Sequence, residues 1–308
     1  MFDMETNHKT SLQVSVVDNI SEMDDKRLSS LKVADGGFSP DEKYIIAHTN
    51  GGVTYCFLVE RGKYIYKWGE NDGLFSFNGE RNDVPFKILP KNYLVQAGLS
   101  YKTSNTLFVR NLNNGETIRE LQCGGYEIDQ FVVTGNQMVG ATASASTSYS
   151  SDRGSTKDVY VWNLEKGELI SRVSNRQPIN ALCFIGGDDQ YLLVCPWRAS
   201  AVEVWYVGTV KQPCADAIQI HSLIGHSDDV LYVHLSLSTD TIVTSSQDNT
   251  LKLWALDRVL RHCDNVMALA GEKMTNVDAV KEALTTSDAH PCDPTRSPVK
   301  TTSIAVAK

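Results

Sequence analysis

Four residues near the carboxyl end of the chain carry side chains that could do chemistry. His226, Thr244, Asp248 and Trp254 all lie between residues 225 and 254. A histidine, a hydroxyl and a carboxylate together resemble the general base, nucleophile and orienting group of a hydrolase. The same groups also suit a buried chain of hydrogen bonds, because a buried indole N–H needs an acceptor and a hydroxyl can relay. The secondary structure that carries these residues decides between the two interpretations.

The segment that contains them is predicted to form three short β-strands. Residues 230–236 alternate large apolar side chains with smaller or polar ones, and residues 241–246 are rich in β-branched side chains. Residues 250–254 form the third strand, and Asp248-Asn249 before it predicts a turn. Three strands cannot bury both faces alone, so this unit is expected to stack on further copies.

Five weaker copies precede this segment, in register with its third strand. At the position of Trp254 they carry Ser15, Phe57, Arg110, Trp162 and Trp205. Successive positions lie 42 to 53 residues apart, close to the period of a four-stranded repeat. Two copies share a tail, because residues 111–116 and 163–168 both turn through glycine into predicted fourth strands at 117–121 and 169–173. The second strand of the Trp162 copy is predicted at 137–143.

From Gly225-His226 to Trp254, the last copy resembles one repeat of the WD40 family. The resemblance implies an all-β fold, a WD40-type β-propeller, in which each repeat is a four-stranded blade. It also implies that His226, Thr244, Asp248 and Trp254 form the family's buried structural tetrad. The tryptophan register therefore disfavours catalysis, since the indole would consume the hydroxyl. An antiparallel β-sandwich is disfavoured because it does not explain the repeat.

Blade counting gives about five recognisable blades plus a half blade over residues 11–257. Residues 1–10 are predicted to be disordered, and 11–18 and 26–31 resemble a third and a fourth strand. Closed propellers have about four to eight blades. We therefore expect either a fragment or short isoform of a longer protein, or a tail that supplies strands.

The tail, residues 258–308, is predicted to be weakly helical and then disordered. Residues 255–271 are predicted to form either a short amphipathic helix or, at 265–270, a last outer strand. The apolar spacing of residues 276–286 predicts one weak helix. Residues 289–302 are rich in Pro, Ser and Thr, and Ser297 opens a motif that resembles a proline-directed kinase site. Residues 302–308 either pair as a strand or hang free.

Composition narrows the class of partner and the compartment. The 308 residues carry a net charge of −8, which disfavours nucleic acid as a partner, and no run of 18 apolar residues predicts a membrane span. The first ten residues lack the apolar region of a signal peptide, and seven scattered cysteines form no CxxC pair. These features favour the cytoplasm, with the nucleus as the alternative.

Motifs of cofactor, metal and nucleotide sites are missing from the sequence. It contains no phosphate-binding loop, HExxH or GxSxG, and its histidines lack companions at zinc spacing. We therefore expect no enzyme activity, no cofactor and no metal, and a small-molecule ligand is disfavoured.

Binding of other proteins is therefore the expected activity. The resemblance implies that partners bind at the narrow rim of the propeller, where the first strands begin. Loop residues there are free of packing duties. The predicted rim residues are Lys32, Asp83, Glu127, Asp129, Asn180, Asp229 and Leu231. Their acidic bias predicts a basic or mixed-charge peptide or domain as partner, and the alternative is that they are merely solvated loop charges.

Two functions follow from this interpretation. The first is a non-catalytic scaffold that binds protein or peptide partners in an intracellular complex. The second is a sensor or autoinhibitory propeller from a larger signalling ATPase similar to the NACHT-and-WD-repeat proteins. Upstream coding sequence with a phosphate-binding loop would favour the second.

Overall fold

The computed structural model describes most of the chain between residues 33 and 271. The described residues are 33–49, 53–61, 63–68, 86–98, 105–123, 127–134, 139–145, 158–175, 177–271 and 304–305. They fall into two compact units, residues 1–129 and 130–308. Predictions for the half blade, the disordered N-terminus, Lys32, Asp83, the 276–286 helix and Ser297 lie outside the described residues.

Unit 1 contains two four-stranded antiparallel sheets in which each strand pairs with the next one in the chain. Blade 1 comprises β1 (Val33–Phe38), β2 (Tyr44–Thr49), β3 (Thr54–Leu58) and β4 (Lys63–Trp68). Blade 2 comprises β5 (Phe86–Leu89), β6 (Tyr93–Ala97), β7 (Thr106–Asn111) and β8 (Thr117–Gln122). The third and fourth strands predicted from the shared register are confirmed here.

Unit 2 contains one eight-stranded sheet and one four-stranded sheet, apart from the first residues of β9, which precede the unit boundary. Blade 3 comprises β9 (Glu127–Val133), β10 (Val139–Ala145), β11 (Val159–Asn163) and β12 (Glu168–Val173). Blade 4 comprises β13 (Ile179–Ile185), β14 (Tyr191–Pro196), β15 (Ala201–Gly208) and β16 (Pro213–Ile224). The eight-stranded sheet comprises blades 3 and 4, whose fourth strands pair in parallel at Arg172 and Asp216. Blade 5 comprises β17 (Val230–Ser236), β18 (Thr241–Ser246), β19 (Thr250–Ala255) and β20 (Ile304–Ala305). The second strand of blade 3 begins two residues later than the predicted 137–143.

The two glycine-containing tails form the same turn, as predicted. Gly115 and Gly167 both have φ of 75°, and each donates its N–H to an asparagine carbonyl four residues earlier, at 2.8 Å. The side chains of Asn111 and Asn163 also accept backbone N–H groups of the turn, at 2.9 to 3.1 Å. Glycine supplies the left-handed conformation and asparagine the local acceptor, so the short motif specifies its own turn.

A repeated β-bulge lies between the third and fourth strands, and it fixes the predicted register. The pairing skips one residue of the fourth strand immediately before the third-strand positions Phe57, Arg110, Trp162 and Trp205. The skipped residues are Ile65, Ile118, Ile170 and Ile220. The structural equivalence of these four third-strand positions therefore matches the sequence alignment, although only two of them are tryptophan.

A second repeated bulge lies at the start of the first strands. The pairing of first with second strands skips one residue, which is Ala34 in blade 1, Asn180 in blade 4 and Leu231 in blade 5. A bulge leaves its extra residue unpaired and re-aims the side chain. The first strands thus leave one residue outside the strand pairing wherever this bulge occurs.

Helix α1 (Leu256–Gly271) follows β19 directly, so the helix alternative for 255–271 is confirmed and the outer strand at 265–270 is wrong. It buries Val259, Cys263 and Val266, which lie on one face at helical spacing and join the core of blades 4 and 5. Tyr191 donates to Asp264 of the helix at 2.6 Å. Burial and this carboxylate raise the pKa of the Tyr191 hydroxyl, which therefore keeps its proton. Among the described residues, no helix is long and apolar enough to cross a membrane.

The tail supplies one strand of blade 5. In β20, Ala305 pairs with Thr250 and Ile304 with Leu251, antiparallel to β19. This resolves the alternative for residues 302–308 in favour of pairing at these two positions. Sequence alone left it open because so short a strand has little periodicity of its own.

The turn at Gly115 generates a stability prediction. A Cβ atom there would lie 2.4 Å from the ring of Tyr66, and the φ of 75° already disfavours a side chain. Gly115→Ala should lower the free energy of unfolding by about 2 kcal/mol or more. The measurement is urea unfolding of the full chain. Gly187→Ala is the control, because nothing lies within 4 Å of its added Cβ, and an equal loss in both variants would contradict the argument.

Candidate functional site

Blade 5 brings the four residues of the sequence pattern into one continuous chain of hydrogen bonds. Trp254 Nε1 donates to Thr244 Oγ1 at 3.0 Å, and Thr244 Oγ1 lies 2.8 Å from His226 Nε2. His226 Nδ1 lies 2.8 Å from Asp248 Oδ2. The Thr244 and Trp254 side chains stand on neighbouring strands, whereas the loop before β17 carries His226 and the turn before β19 carries Asp248.

The two ends fix the direction of this chain. Trp254 Nε1 can only donate to the Thr244 hydroxyl, and the Asp248 carboxylate can only accept, so His226 donates to it from Nδ1. In the neutral form of the imidazole, Nε2 is then the acceptor for the proton of the Thr244 hydroxyl. Each of the four polar groups is satisfied by its neighbour.

Asp248 is the terminal acceptor and takes more hydrogen bonds than the histidine alone supplies. Its carboxylate also accepts from the Thr250 hydroxyl at 2.6 Å, from the Thr250 N–H at 2.9 Å and from the Ser227 N–H at 3.0 Å. Burial alone would raise the pKa of Asp248. The hydrogen bonds from Thr250, Ser227 and His226 outweigh that effect and hold the pKa below its usual value.

The geometry makes Thr244 unsuited to nucleophilic attack. Its side chain is fully buried, with 0% exposure, so a substrate cannot approach the hydroxyl. The oxygen that would attack is already the acceptor for Trp254. The His, Thr and Asp resemble a catalytic triad in type and order of contact, but the fourth residue and the burial turn them into a closed hydrogen-bonded chain.

The other tryptophan positions use different partners. In blade 4, Trp205 Nε1 donates to the carboxylate of Glu203 at 2.8 Å. Burial raises the pKa of the Glu203 carboxyl, and the bond from Trp205 partly offsets this rise. In blade 3, the Nε1 of Trp162 is buried and has no hydrogen-bond partner. The three tryptophans therefore share a register but not a polar network.

Blade 2 places Arg110 at the tryptophan position, and its guanidinium ends a second buried chain. Arg110 Nη1 donates to Gln96 at 2.8 Å, Gln96 donates to the hydroxyl of Thr54 at 2.6 Å, and Thr54 lies 2.9 Å from His48 Nδ1. The guanidinium also lies over the ring of Phe108, 4.7 Å from its centroid. Burial lowers the pKa of Arg110 to about 10, which leaves it charged at neutral pH. This network links blades 1 and 2, and sequence spacing gave no indication of it.

Three of the predicted rim residues come together in unit 2. Asn180 Nδ2 donates to the carbonyl of Val230 at 2.8 Å, and the Asp229 carboxylate accepts the Arg198 N–H at 3.1 Å. Leu231 is 43% exposed. Glu127 and Asp129 lie at the start of β9, where the structure describes the backbone. Asp229 is thus a structural acceptor as well as a rim charge.

Three exposed residues at the same edge of unit 2 were not among those predicted from the sequence. Trp197 and Arg198 lie in the turn between β14 and β15, and Ile224 ends β16. Trp197 is 42% exposed and Ile224 is 78% exposed. The available indication was that Trp197, unlike the other tryptophans of unit 2, lies outside the third-strand register. A large aromatic residue in a turn has no packing reason to be there.

The described residues contain no cluster of side chains suited to bind a metal ion. Among the described residues, no group of three or more His, Cys, Asp and Glu side chains could hold a metal ion. His221 and His262 contact each other, with ring centroids 4.2 Å apart. Buried cysteines are protonated packing residues here, and burial raises the pKa of Cys56 and of Cys263 to about 12 in both cases.

Comparison with known proteins identifies the repeat that contains the tetrad. Residues 217–255 match the family described as WD domain, G-beta repeat. The chain is also 25% identical over 118 residues to the WD repeat-containing protein srw1 of Schizosaccharomyces pombe (strain 972 / ATCC 24843), a match that covers 37% of this chain. It spans about a fifth of the length of that relative, 20%.

Two solved structures resemble this chain at low sequence identity. The computationally designed Ika8 protein has a TM-score of 0.51 at 16% identity, over 73% of this chain and 59% of that chain. The C-terminal WD40 domain of Sif2 has a TM-score of 0.48 at 14% identity, over 75% of this chain and 57% of that one. The chain therefore contains a WD40 repeat, and its fold is of the all-β propeller type.

The buried chain predicts a large effect of one hydroxyl on stability. Thr244→Val keeps the β-branched shape but leaves the Trp254 N–H without an acceptor and His226 Nε2 without a donor. The free energy of unfolding should fall by about 2 kcal/mol, measured by urea unfolding. Thr241→Val, whose hydroxyl donates only to a turn carbonyl at 2.8 Å, should change it by less than about 0.5 kcal/mol. Equal effects would show that the tetrad adds no special stability.

Asp248 predicts a loss of stability in acid. The folded pKa of Asp248 lies below the ordinary 3.8, so its ionised form stabilises the fold fully above about pH 4. This stabilisation is lost as the pH falls from about 4 through the lower, folded pKa. Asp248→Asn removes the titration, so the stability difference from wild type should narrow below pH 4. Thr250→Val removes the strongest hydrogen bond that lowers the pKa and should move the acid loss to higher pH. A pH-independent difference between wild type and Asp248→Asn would contradict this.

Proposed function

We propose that this protein is a non-catalytic interaction scaffold that binds protein or peptide partners on the rim of its propeller blades. The observation that carries the proposal is the exposure of Trp197, Ile224 and Leu231 at one edge of unit 2. Apolar side chains of this size, clustered and rimmed by charge, are typical of protein interfaces. The fold supports this class of function, since WD40-type propellers generally bind proteins.

Hydrogen bonds hold together the loops beside Trp197 and Leu231, and this favours a binding surface over a set of solvated loop charges. The Val230 N–H donates to the carbonyl of Ala199 at 2.9 Å, and the Gln247 N–H donates to the carbonyl of Asp229 at 2.9 Å. The hydroxyl of Ser246 donates to the carbonyl of Asp228 at 2.9 Å. These bonds tie three loops together, and the tetrad anchors two of them. A binding surface held in one conformation loses little entropy when a partner docks.

The charges at this edge favour a partner of mixed charge. Asp228 is exposed and Asp229 is half-buried beside Leu231, whereas Arg198 is the basic residue of the neighbouring turn. Of the acidic residues predicted for the rim, Asp229 belongs to this edge, and the neighbouring Asp228 adds a second carboxylate. We place the scaffold in the cytoplasm, with the nucleus as the alternative. The sensor function within a NACHT-type ATPase stays a prediction from sequence, to be tested on upstream coding sequence.

The rim proposal predicts which substitutions abolish partner binding. Leu231→Asp should reduce the amount of specifically captured protein about tenfold. The substitution replaces one of the three exposed apolar side chains, Trp197, Ile224 and Leu231, with an unpaired charge. The measurement is quantitative affinity capture with the full chain from cell extract. Charge reversal at Asp129 and Asp229 together is a second rim variant with the same expected direction.

Leu237→Asp is the matched control for this experiment. Leu237 is 78% exposed, but it lies in the turn at the other end of β17, away from the rim. It should leave capture unchanged, and circular dichroism should show the same fold in every variant. If Leu231→Asp and the charge reversal both capture the same proteins in the same amounts as Leu237→Asp, the rim is not the binding surface.

A further inference from the structure

We propose that Trp197 and Arg198 form an anchor that binds a carboxylate next to an apolar side chain in a linear segment of a partner protein. The inference rests on the proposed scaffold function and names the chemistry of the partner at the same edge. Three features make up the anchor. Arg198 has a left-handed backbone conformation, its guanidinium lies over the indole of Trp197, and exposed apolar residues lie nearby.

The backbone of Arg198 adopts a conformation that arginine disfavours. Its φ is 58°, in the left-handed region. The corresponding turn of blade 5 has Asn249 at φ 63°, a residue type that tolerates this conformation. Backbone strain of this kind persists only where the surroundings over-determine it, as they also do at other turns of this structure, such as those at Glu42 and Lys91. At Arg198 the constraint comes from Asp229, which accepts the N–H at 3.1 Å, and from the neighbouring Ala199 carbonyl, which accepts from Val230.

The turn holds the guanidinium in a fixed and accessible place. The Arg198 Cζ atom lies 4.2 Å from the centroid of the Trp197 ring, and both side chains are exposed. In the described part of the chain, no carboxylate lies within salt-bridge distance of this guanidinium. Stacking on an aromatic ring leaves the edge of the guanidinium, with its N–H donors, free for a bidentate carboxylate. Tryptophan and arginine are also the residues most enriched at the centres of protein interfaces.

Apolar contacts lie on either side of the anchor. Ala201 pairs with Ile224, which is 78% exposed, and Val230 bonds to Ala199 directly before Leu231, which is 43% exposed. A segment whose carboxylate binds Arg198 would therefore place its neighbouring side chains against apolar surface. An acidic residue flanked by aliphatic or aromatic residues fits this arrangement.

Nearby acidic groups favour a carboxylate over a phosphate. Asp228 and Asp229 follow one another in the loop that contacts the Arg198 backbone. A phosphate group carries about twice the charge of a carboxylate and would meet stronger repulsion from these two residues. We therefore commit to an unmodified acidic side chain as the bound group.

Selection from a random peptide library on phage, with the immobilised full chain as bait, tests the anchor. The wild-type chain should enrich peptides with Asp or Glu beside an aliphatic or aromatic residue. Arg198→Glu should lose these peptides and enrich Lys or Arg at the same place. Lys211→Glu is the control, since Lys211 is an exposed basic residue in the β15–β16 turn at the opposite end of blade 4, and its selected peptides should match wild type.

A synthetic peptide of the enriched sequence then measures the carboxylate directly by fluorescence polarisation. Replacing its Glu by Gln should weaken binding about tenfold or more, as should Trp197→Ala in the protein. A phosphoserine version should bind more weakly than the Glu peptide. Arg198→Gly should abolish binding while it keeps or raises the unfolding midpoint, because glycine relieves the left-handed strain.

Several results would overturn the proposal. They are peptides that Arg198→Glu leaves unchanged, equal binding of the Glu and Gln peptides, tighter binding of the phosphoserine peptide, and a fall in stability of Arg198→Gly that accounts for its lost binding. If Leu231→Asp still abolishes protein capture in those cases, the scaffold function stands and only the carboxylate anchor fails. If neither peptides nor proteins respond to any variant of this edge, both proposals fail.

Discussion

The loops at one edge of blade 5 depend on the two hydrogen bonds of the Thr244 hydroxyl. The hydroxyl accepts from the indole of Trp254 and donates to the imidazole of His226, so it connects these two side chains. Through that imidazole it fixes Asp248, and Asp248 in turn holds the backbone of Ser227 and Thr250. A buried hydrogen-bonded chain rigidifies its surroundings only when every member is satisfied. The loop before β17 and the turn before β19 are therefore held together by polar groups that are largely buried.

The other blades solve the same packing problem without that hydroxyl. The bulge before the tryptophan position recurs in four blades, yet the residue there is phenylalanine in one, arginine in another and tryptophan in two. Two of these residues, Arg110 and Trp205, have a side-chain hydrogen-bond partner, and the two partners differ. Trp205 relies on the carboxylate of Glu203, and Arg110 relies on Gln96. Backbone geometry is thus the common element, and the hydrogen-bond networks are local adaptations to it. This explains how a degraded repeat keeps its strand order while the sequence pattern fades.

Bulges also decide which first-strand residues lie outside the strand pairing. A regular strand alternates its side chains between two buried faces, but the extra residue at Leu231 or Asn180 leaves the ladder and reaches the rim. The neighbouring turn at Trp197 and Arg198 adds an aromatic ring and a charge held in place by Asp229. Recognition at this edge would use residues that contribute little to the core, on a scaffold whose core contributes the rigidity. This division allows the rim to vary while the blade persists.

Sequence by itself determined the all-β repeat, the blade register from Phe57 to Trp254, the glycine turns at 115 and 167, and the membership of the tetrad. These follow from local patterns, since alternation, turn residues and spacing act within one blade. Only the tertiary structure decided the direction of the hydrogen bonds, the buried Arg110 network, the pairing of residues 304–305 with β19 and the cluster of Trp197, Ile224 and Leu231. Each of these joins residues that are distant in sequence or belong to different strands and turns. Contacts of that kind depend on how blades pack and where bulges fall, and no periodicity in a single strand encodes them.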